Sequence, residues 1–221
     1  MTTTEKTLKF ANNLRTSYHP VQLLSENRKT CVSINLPIKD HCTPTERCAA
    51  DCYGKSGHTV LTSNIKKQKY LSKYLEKGDI TLLIYECKQY LSVRLNGVGD
   101  LKTCHVPAIL SLAEACPQTL FWGMTRKIPI AKEINNKLPN LSLLVTVDIS
   151  SPPSVWNYDG AMCFGPRREE DPVPDDKRII TVFPRHHIGK IVGNIPEHEK
   201  DCPAVRHTVN GCVECRQCWN W

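Results

Sequence analysis

Apolar and polar positions along this chain switch between a helical period and a strand period. Residues 62–77 (TSNIKKQKYLSKYLEK) have helical spacing, which assigns Ile65, Tyr70, Leu71, Tyr74 and Leu75 to one face and uses Gly78 as the stop. A second helix is expected over 79–90, with Leu82, Leu83, Cys87 and Tyr90 on its buried side. Short β-type runs follow the other pattern: CVSINLP (31–37), LSVRLNGVGD (91–100) with its glycine-rich turn, TLFWGMTRK (119–127) and NLSLLVTVDIS (140–150), then AMCFGP and RIITVFP. Helical spacing returns over 106–116 and 128–139. Residues 1–30 are polar and mixed, with room for a short strand or arm, and the charged, proline-rich stretch 167–177 reads as an exposed loop.

Strands alternating with helices build a parallel sheet covered by helices. The near-continuous apolar run at 140–150 suits a strand buried on both faces. About six such strands fit, too few for a closed eight-stranded barrel. The expected fold is therefore α/β: a partial, roughly six-stranded parallel β/α barrel over 1–200, with a cysteine-rich tail over 201–221 packed on the same domain. Chemistry in such sheets collects at the C-terminal strand ends. The polar residues expected there are the 42–52 loop, Gly97–Asp100, Thr125 with Arg126, and Asp148.

Composition narrows the class. The chain is 40% hydrophobic and 23% charged, which is ordinary for a globular protein. It has no long apolar run, so no membrane partner is expected, and MTTTEKTLKFANN lacks a signal-peptide core. The expected location is the cytoplasm, where twelve cysteines read as metal ligands rather than disulfides. The net charge of +7 is spread along the chain, as in NIKKQKYLSKYLEK; it suits a solvated surface or a nucleic-acid partner.

Two cysteine groups carry the chemistry. In the tail, Cys202 precedes a proline, and Cys212, Cys215 and Cys218 follow at Cys-x2-Cys-x2-Cys spacing. Three close thiolates plus a remote one suit a [4Fe–4S] cluster; zinc is the alternative at the tail. Trp219 and Trp221 are placed to shield the cluster, and His207 is a lesser candidate ligand. In the first loop, Cys42, Cys48 and Cys52 supply three thiolates, which leave one iron of a cube open to a substrate, a cofactor or one more protein ligand.

A strand followed by Cys48-x3-Cys52-Tyr53 resembles the start of a radical S-adenosylmethionine (SAM) enzyme, although Lys55 stands where that superfamily has its third cysteine and Cys42 takes its place. The resemblance implies a SAM site at the end of the next strand. There Gly97 and Gly99 would let the backbone approach a ligand and Asp100 would meet an ammonium, while Arg94 either binds an anion or pairs with Asp100 or Asp148.

Over most of its length the chain also resembles a phage-associated family, the gene-product-eighty-eight domain, through Cys42–Gly57, Arg94–Asp100, Trp122–Lys127 and Cys202–Trp219. That resemblance implies iron–sulfur chemistry in a phage setting and brings no settled activity. Cys163 is a spare ligand candidate, and Cys31, Cys87, Cys104 and Cys116 read as small buried apolar residues. His186 and His187 read as a surface turn with a possible general-base role. The expectation is an iron–sulfur protein whose first cluster binds SAM or another small molecule, supplied by an electron donor. The competing expectation is a metal-stabilised basic module for nucleic acid or a host protein.

Overall fold

A computed structural model of the chain describes residues 22–27, 31–187, 190–206, 208–209 and 211–218. Seven strands form one sheet in chain order: β1 (Ser25–Asn27), β2 (Cys31–Ser33), β3 (Ser92–Leu95), β4 (Leu120–Thr125), β5 (Leu141–Val147), β6 (Met162–Arg167) and β7 (Ile179–Pro184). β2 to β7 run parallel, and β1 is antiparallel to β2. The class is α/β with a mostly parallel sheet. The sheet is open, because β1 and β7 end the order without pairing to each other. β1 falls in the segment expected to hold a short strand or arm; the remainder of 1–30 lies outside the described residues.

The crossovers carry α1 (Glu46–Ala50), α2 (Thr62–Lys77) and α3 (Thr81–Cys87) between β2 and β3, α4 (Val106–Ala115) before β4 and α5 (Ile128–Ile134) before β5. α2 occupies the predicted residues and ends on Gly78, whose φ of 70° lets its N–H and that of Asp79 satisfy the carbonyls of Leu75 and Tyr74. Its buried face differs from expectation. Gln68, Leu71, Ser72 and Leu75 turn inward, whereas Ile65 and Tyr70 lie off that stripe and are exposed. Full burial of Leu71 and Leu75 contributes roughly 1.5–3 kcal/mol each. α5 is shorter than predicted. Asn135 leaves the helix in an extended conformation, and its amide group binds the N–H and carbonyl of Leu143 at 2.8 Å each.

Period-two alternation sorts the strands into two faces. Val93, Leu95, Phe121, Leu141 and Leu143 pack on the helices with Leu71, Leu83, Ile109 and Ile134. The opposite face holds the cross-strand row Ser33–Arg94–Trp122–Ser142 and the row Thr146–Cys163–Thr181. On it, Trp122, Leu144 and Cys163 pack against Cys218 of the tail.

After β7 the chain forms a hairpin, β8 (His186–His187) with β9 (Lys190–Ile191), and returns to the sheet. Asp201 bridges to Val182 in parallel, and the backbone of Val182 is held on both sides, by the Lys200 carbonyl at 2.7 Å and the Cys202 N–H at 2.8 Å. Two short helices close the tail, α6 (Pro203–Arg206) and α7 (Cys212–Cys215). Among the described residues no helix is long and apolar enough to cross a membrane.

Candidate functional site

Because β2–β7 are parallel, the segments that follow them share one edge of the sheet, and the first cysteine loop is fastened to nearly all of them. Thr45 donates to Asp148 after β5 at 2.5 Å and also caps α1 by accepting the Cys48 N–H at 3.1 Å. Arg47 pairs with Asp171 at 2.6 Å. Asp51, its carboxylate 1% exposed, takes a two-pronged contact from Arg168 at 2.9 and 3.0 Å and a third from Arg185 at 3.0 Å. Tyr53 donates to the Gly97 carbonyl after β3 at 2.5 Å. Lys127, after β4, donates to the carbonyls of His41 at 2.5 Å and Leu101 at 2.6 Å.

This fastening brings Cys42, Cys48 and Cys52 together over the strand ends. All three are half-buried free thiols. Burial, reinforced by Asp100 and by the other two cysteines alongside, pushes the Cys42 thiol up to about 12, with Lys127 pulling the other way.

The residues expected to meet a small molecule are at the same edge, with structural duties of their own. The Asp100 carboxyl is buried, which raises its pKa. One oxygen accepts from the Asn96 amide (3.2 Å), the Leu101 N–H (2.8 Å) and the Thr125 hydroxyl (2.8 Å), and the other from the Arg126 N–H (3.3 Å). Gly99 has φ +77°, and a Cβ there would lie 2.9 Å from the Pro37 carbonyl oxygen and closer still to that of Leu36. A Cβ on Gly97 would strike Ser33 and Asn35. Both glycines are therefore required by the close pass of this turn over the chain after β2. Arg94 departs from the expected pairing with Asp100 or Asp148. Asp148 is taken by Arg126 at 2.8 Å, and Arg94 points to the other face, its guanidinium 5.4 Å from the centre of the Trp122 ring. β3 ends at Leu95, and the turn that begins at Asn96 (φ 44°) carries Asp100 away from the face that holds Arg94.

The tail cysteines converge on that same face. Cys202, Cys212, Cys215 and Cys218 line one cavity with Thr181 and Gln217. Cys212 and Cys215 lie on the single turn of α7; Arg216, at φ 54°, reverses the chain and returns Cys218 to the sheet. The Gln217 amide fixes the reversal by donating to the Ile180 carbonyl at 2.7 Å. Burial raises the Cys202 thiol, opposed by the nearby backbone N–H groups of Val205 and Ala204. Burial raises Cys218 further, with Cys163, Cys202 and Cys212 beside it. Cys163 is sealed under this set, 3.3 Å from the Thr146 hydroxyl, and burial pushes its thiol up to about 11. His207, Trp219 and Trp221 lie outside the described residues, as do the side chains of Cys31, His186 and His187.

The family model for gene product 88 matches residues 3–220. The chain belongs to that family. No curated protein and no solved structure matches it. The match spans both cysteine groups of this gene product 88 chain, so they form parts of one family unit.

Sequence reasoning left out several residues that the fold places beside the first loop of this gene product 88 protein. Asp51 and its arginines are one case. A second is the buried run in which Ser72 Oγ stands between His41 Nε2 (3.1 Å) and His105 Nε2 (3.4 Å), with His41 Nδ1 3.1 Å from the Asp100 carbonyl. Cys104, expected inside, is exposed, since it sits in the short turn that caps α4. With Glu76 and His105 it forms, among the described residues, the one trio of metal-capable side chains whose ligand atoms all lie within 4.8 Å. The chemistry of this trio argues for a hydrogen-bond group. Nδ1 of His105 accepts the Lys102 N–H at 3.3 Å, so the neutral ring carries its proton on Nε2, the atom a metal would need. Glu76 already receives Lys102 Nζ at 3.1 Å.

Proposed function

We propose that this gene product 88 chain is an iron–sulfur protein on a radical-SAM-like, partial parallel barrel. Cys42, Cys48 and Cys52 would hold a [4Fe–4S] cluster with one open iron, and Cys202, Cys212, Cys215 and Cys218 a second cluster. The observation that carries the reading is the convergence of seven cysteines, remote in sequence, into two thiol groups. One lies over the C-terminal strand ends and the other against the sheet face opposite the helix-packed core. The donor set also fits: the four tail thiols share one cavity, and three close thiolates with a remote one suit a cube.

When bound, a three-thiolate cluster offers one-electron chemistry and an open iron to a small molecule such as SAM. The chain's own residues prepare that place. Lys127 and Tyr53 hold the loop from two sides, and Asp51, Thr45 and Arg47 tie its helix down, so that the three sulfurs keep their relation. Gly97 and Gly99 keep the β3 turn low beneath them.

Anaerobic purification with iron and sulfide counting and EPR tests the reading. About eight irons per chain are expected; an iron-free protein with stoichiometric zinc overturns it. A change in the EPR signal on adding SAM, lost in Cys48→Ser, tests the open iron. The alternative, a basic binding module, is favoured by one feature, the solvent-facing lysines Lys66, Lys69, Lys73 and Lys77 of α2. Its mark is nucleic-acid binding that weakens with salt and ignores Cys48→Ser.

A further inference from the structure

We infer that Thr181, in the wall of the tail cysteine cavity, and Arg94, stacked on the Trp122 ring that packs against Cys218, tune a cluster held there: Thr181 would donate a hydrogen bond to a cluster sulfur, Arg94 would supply a counter-charge, and together they would set how readily the cluster accepts an electron. The inference rests on the iron–sulfur reading above.

Thr181 is fully buried on β7 and lines the cavity with all four cysteines, and its hydroxyl has no hydrogen-bond partner. A buried hydroxyl aimed into a ring of sulfurs is a donor awaiting an acceptor. Arg94 presents the same anomaly as a charge. Its Nε is buried with no hydrogen-bond partner, and it forms no ion pair among the described residues. The buried acids are engaged elsewhere: Asp148 by Arg126, Asp171 by Arg47, Asp201 by Arg206 and Arg167, and Asp100 by its four hydrogen bonds, while the carboxylate of Asp51 is held by Arg168 and Arg185.

A partly buried guanidinium without an anion is costly, and this one is held in place by the ring of Trp122. Trp122 in turn packs on Cys218 and Cys163. Arg94 and the gathered tail thiols thus occupy one face of the sheet. A cluster bound there that takes one electron from a low-potential reductant gains one negative charge, with no bond made or broken. A fixed cation and a sulfur-directed donor stabilise that reduced form and raise its potential.

The test uses the full chain with Cys42, Cys48 and Cys52 changed to Ser, so that the EPR signal comes from the tail cluster alone, reduced stepwise with dithionite. Thr181→Val and Arg94→Gln are expected to shift its midpoint potential to more negative values at unchanged iron content. Thr181→Ser and Arg94→Lys should stay near the parent. If Thr181→Val keeps its iron and its potential, the inference is overturned. The near-isosteric valine decides the matter even if Arg94→Gln fails to fold. A parent protein that binds no iron instead overturns the iron–sulfur reading itself, which separates the two failures.

Discussion

Thr45 and Asp148, 103 positions apart in the chain, share a 2.5 Å hydrogen bond that joins the cysteine helix to the end of the central strand. The same carboxylate holds Arg126 at 2.8 Å and is 1% exposed. Asp148→Asn should therefore cost about 3 kcal/mol of stability, the typical penalty for stranding one member of a buried pair. Thr45→Val removes the cap as well and should cost about 1–2 kcal/mol. Urea titration measures both. In both variants the iron bound through Cys42, Cys48 and Cys52 should fall more than that bound at the tail.

Acid should act through the buried histidines. Burial, and then the neighbouring His41, lowers His105 to about 4, and burial likewise lowers His41. The folded value lies below the unfolded one of about 6.5, so the unfolded chain binds the extra proton between them. Stability from this site is complete above about pH 6.5 and declines as pH falls toward 4, by up to about 3 kcal/mol. Urea midpoints at pH 7 and pH 5 should differ, and the difference should shrink in His105→Gln.

The two left-handed glycines next to helix and strand ends should answer differently to alanine. Gly78→Ala meets nothing within 4 Å and should cost about 1 kcal/mol from its φ alone. Gly99→Ala carries the same backbone penalty and drives its methyl into the carbonyls of Leu36 and Pro37, so it should cost about 3 kcal/mol or more. Thermal melts of the two variants check the order.

Removing metal should loosen the tail and spare the sheet. The tail around α6 and α7 buries only a small apolar group, Cys202, Ala204, Val205 and Cys218, whereas the helix-covered core is extensive. Limited proteolysis after chelation should cut between residues 203 and 218 and leave the preceding portion resistant. Equal resistance with and without chelator would show that the tail holds without metal.

Much of the scaffold was legible because local chemistry announces it. Gly78 ends α2 where a left-handed residue is needed, and the apolar run 141–147 is a central strand. The face of α2 was misassigned because Tyr70 and Tyr74 count as apolar by composition, yet they stack on each other at the surface, ring centres 4.6 Å apart. The cysteine groups were legible from spacing. The clamp on Asp51 was not, because Arg168 lies 117 positions away and nothing in the sequence marks which arginine will reach it. Arg94 was misread for a related reason: nothing in the sequence marks that β3 stops at Leu95 and that the chain turns at Asn96, which takes Asp100 away from the face of Arg94.

The segment beside β7 has a consequence for association. Both backbone groups of Val182 are taken by residues 200 and 202, so the piece of chain that carries Cys202 also seals one margin of the sheet. The other margin, β1, is three residues long and offers little to a neighbour. A molecule whose tail lets go exposes at β7 a ready template for a second copy. Oxidation of the tail cysteines would then register first as dimerisation through a single margin, ahead of any unfolding of the helix-covered core.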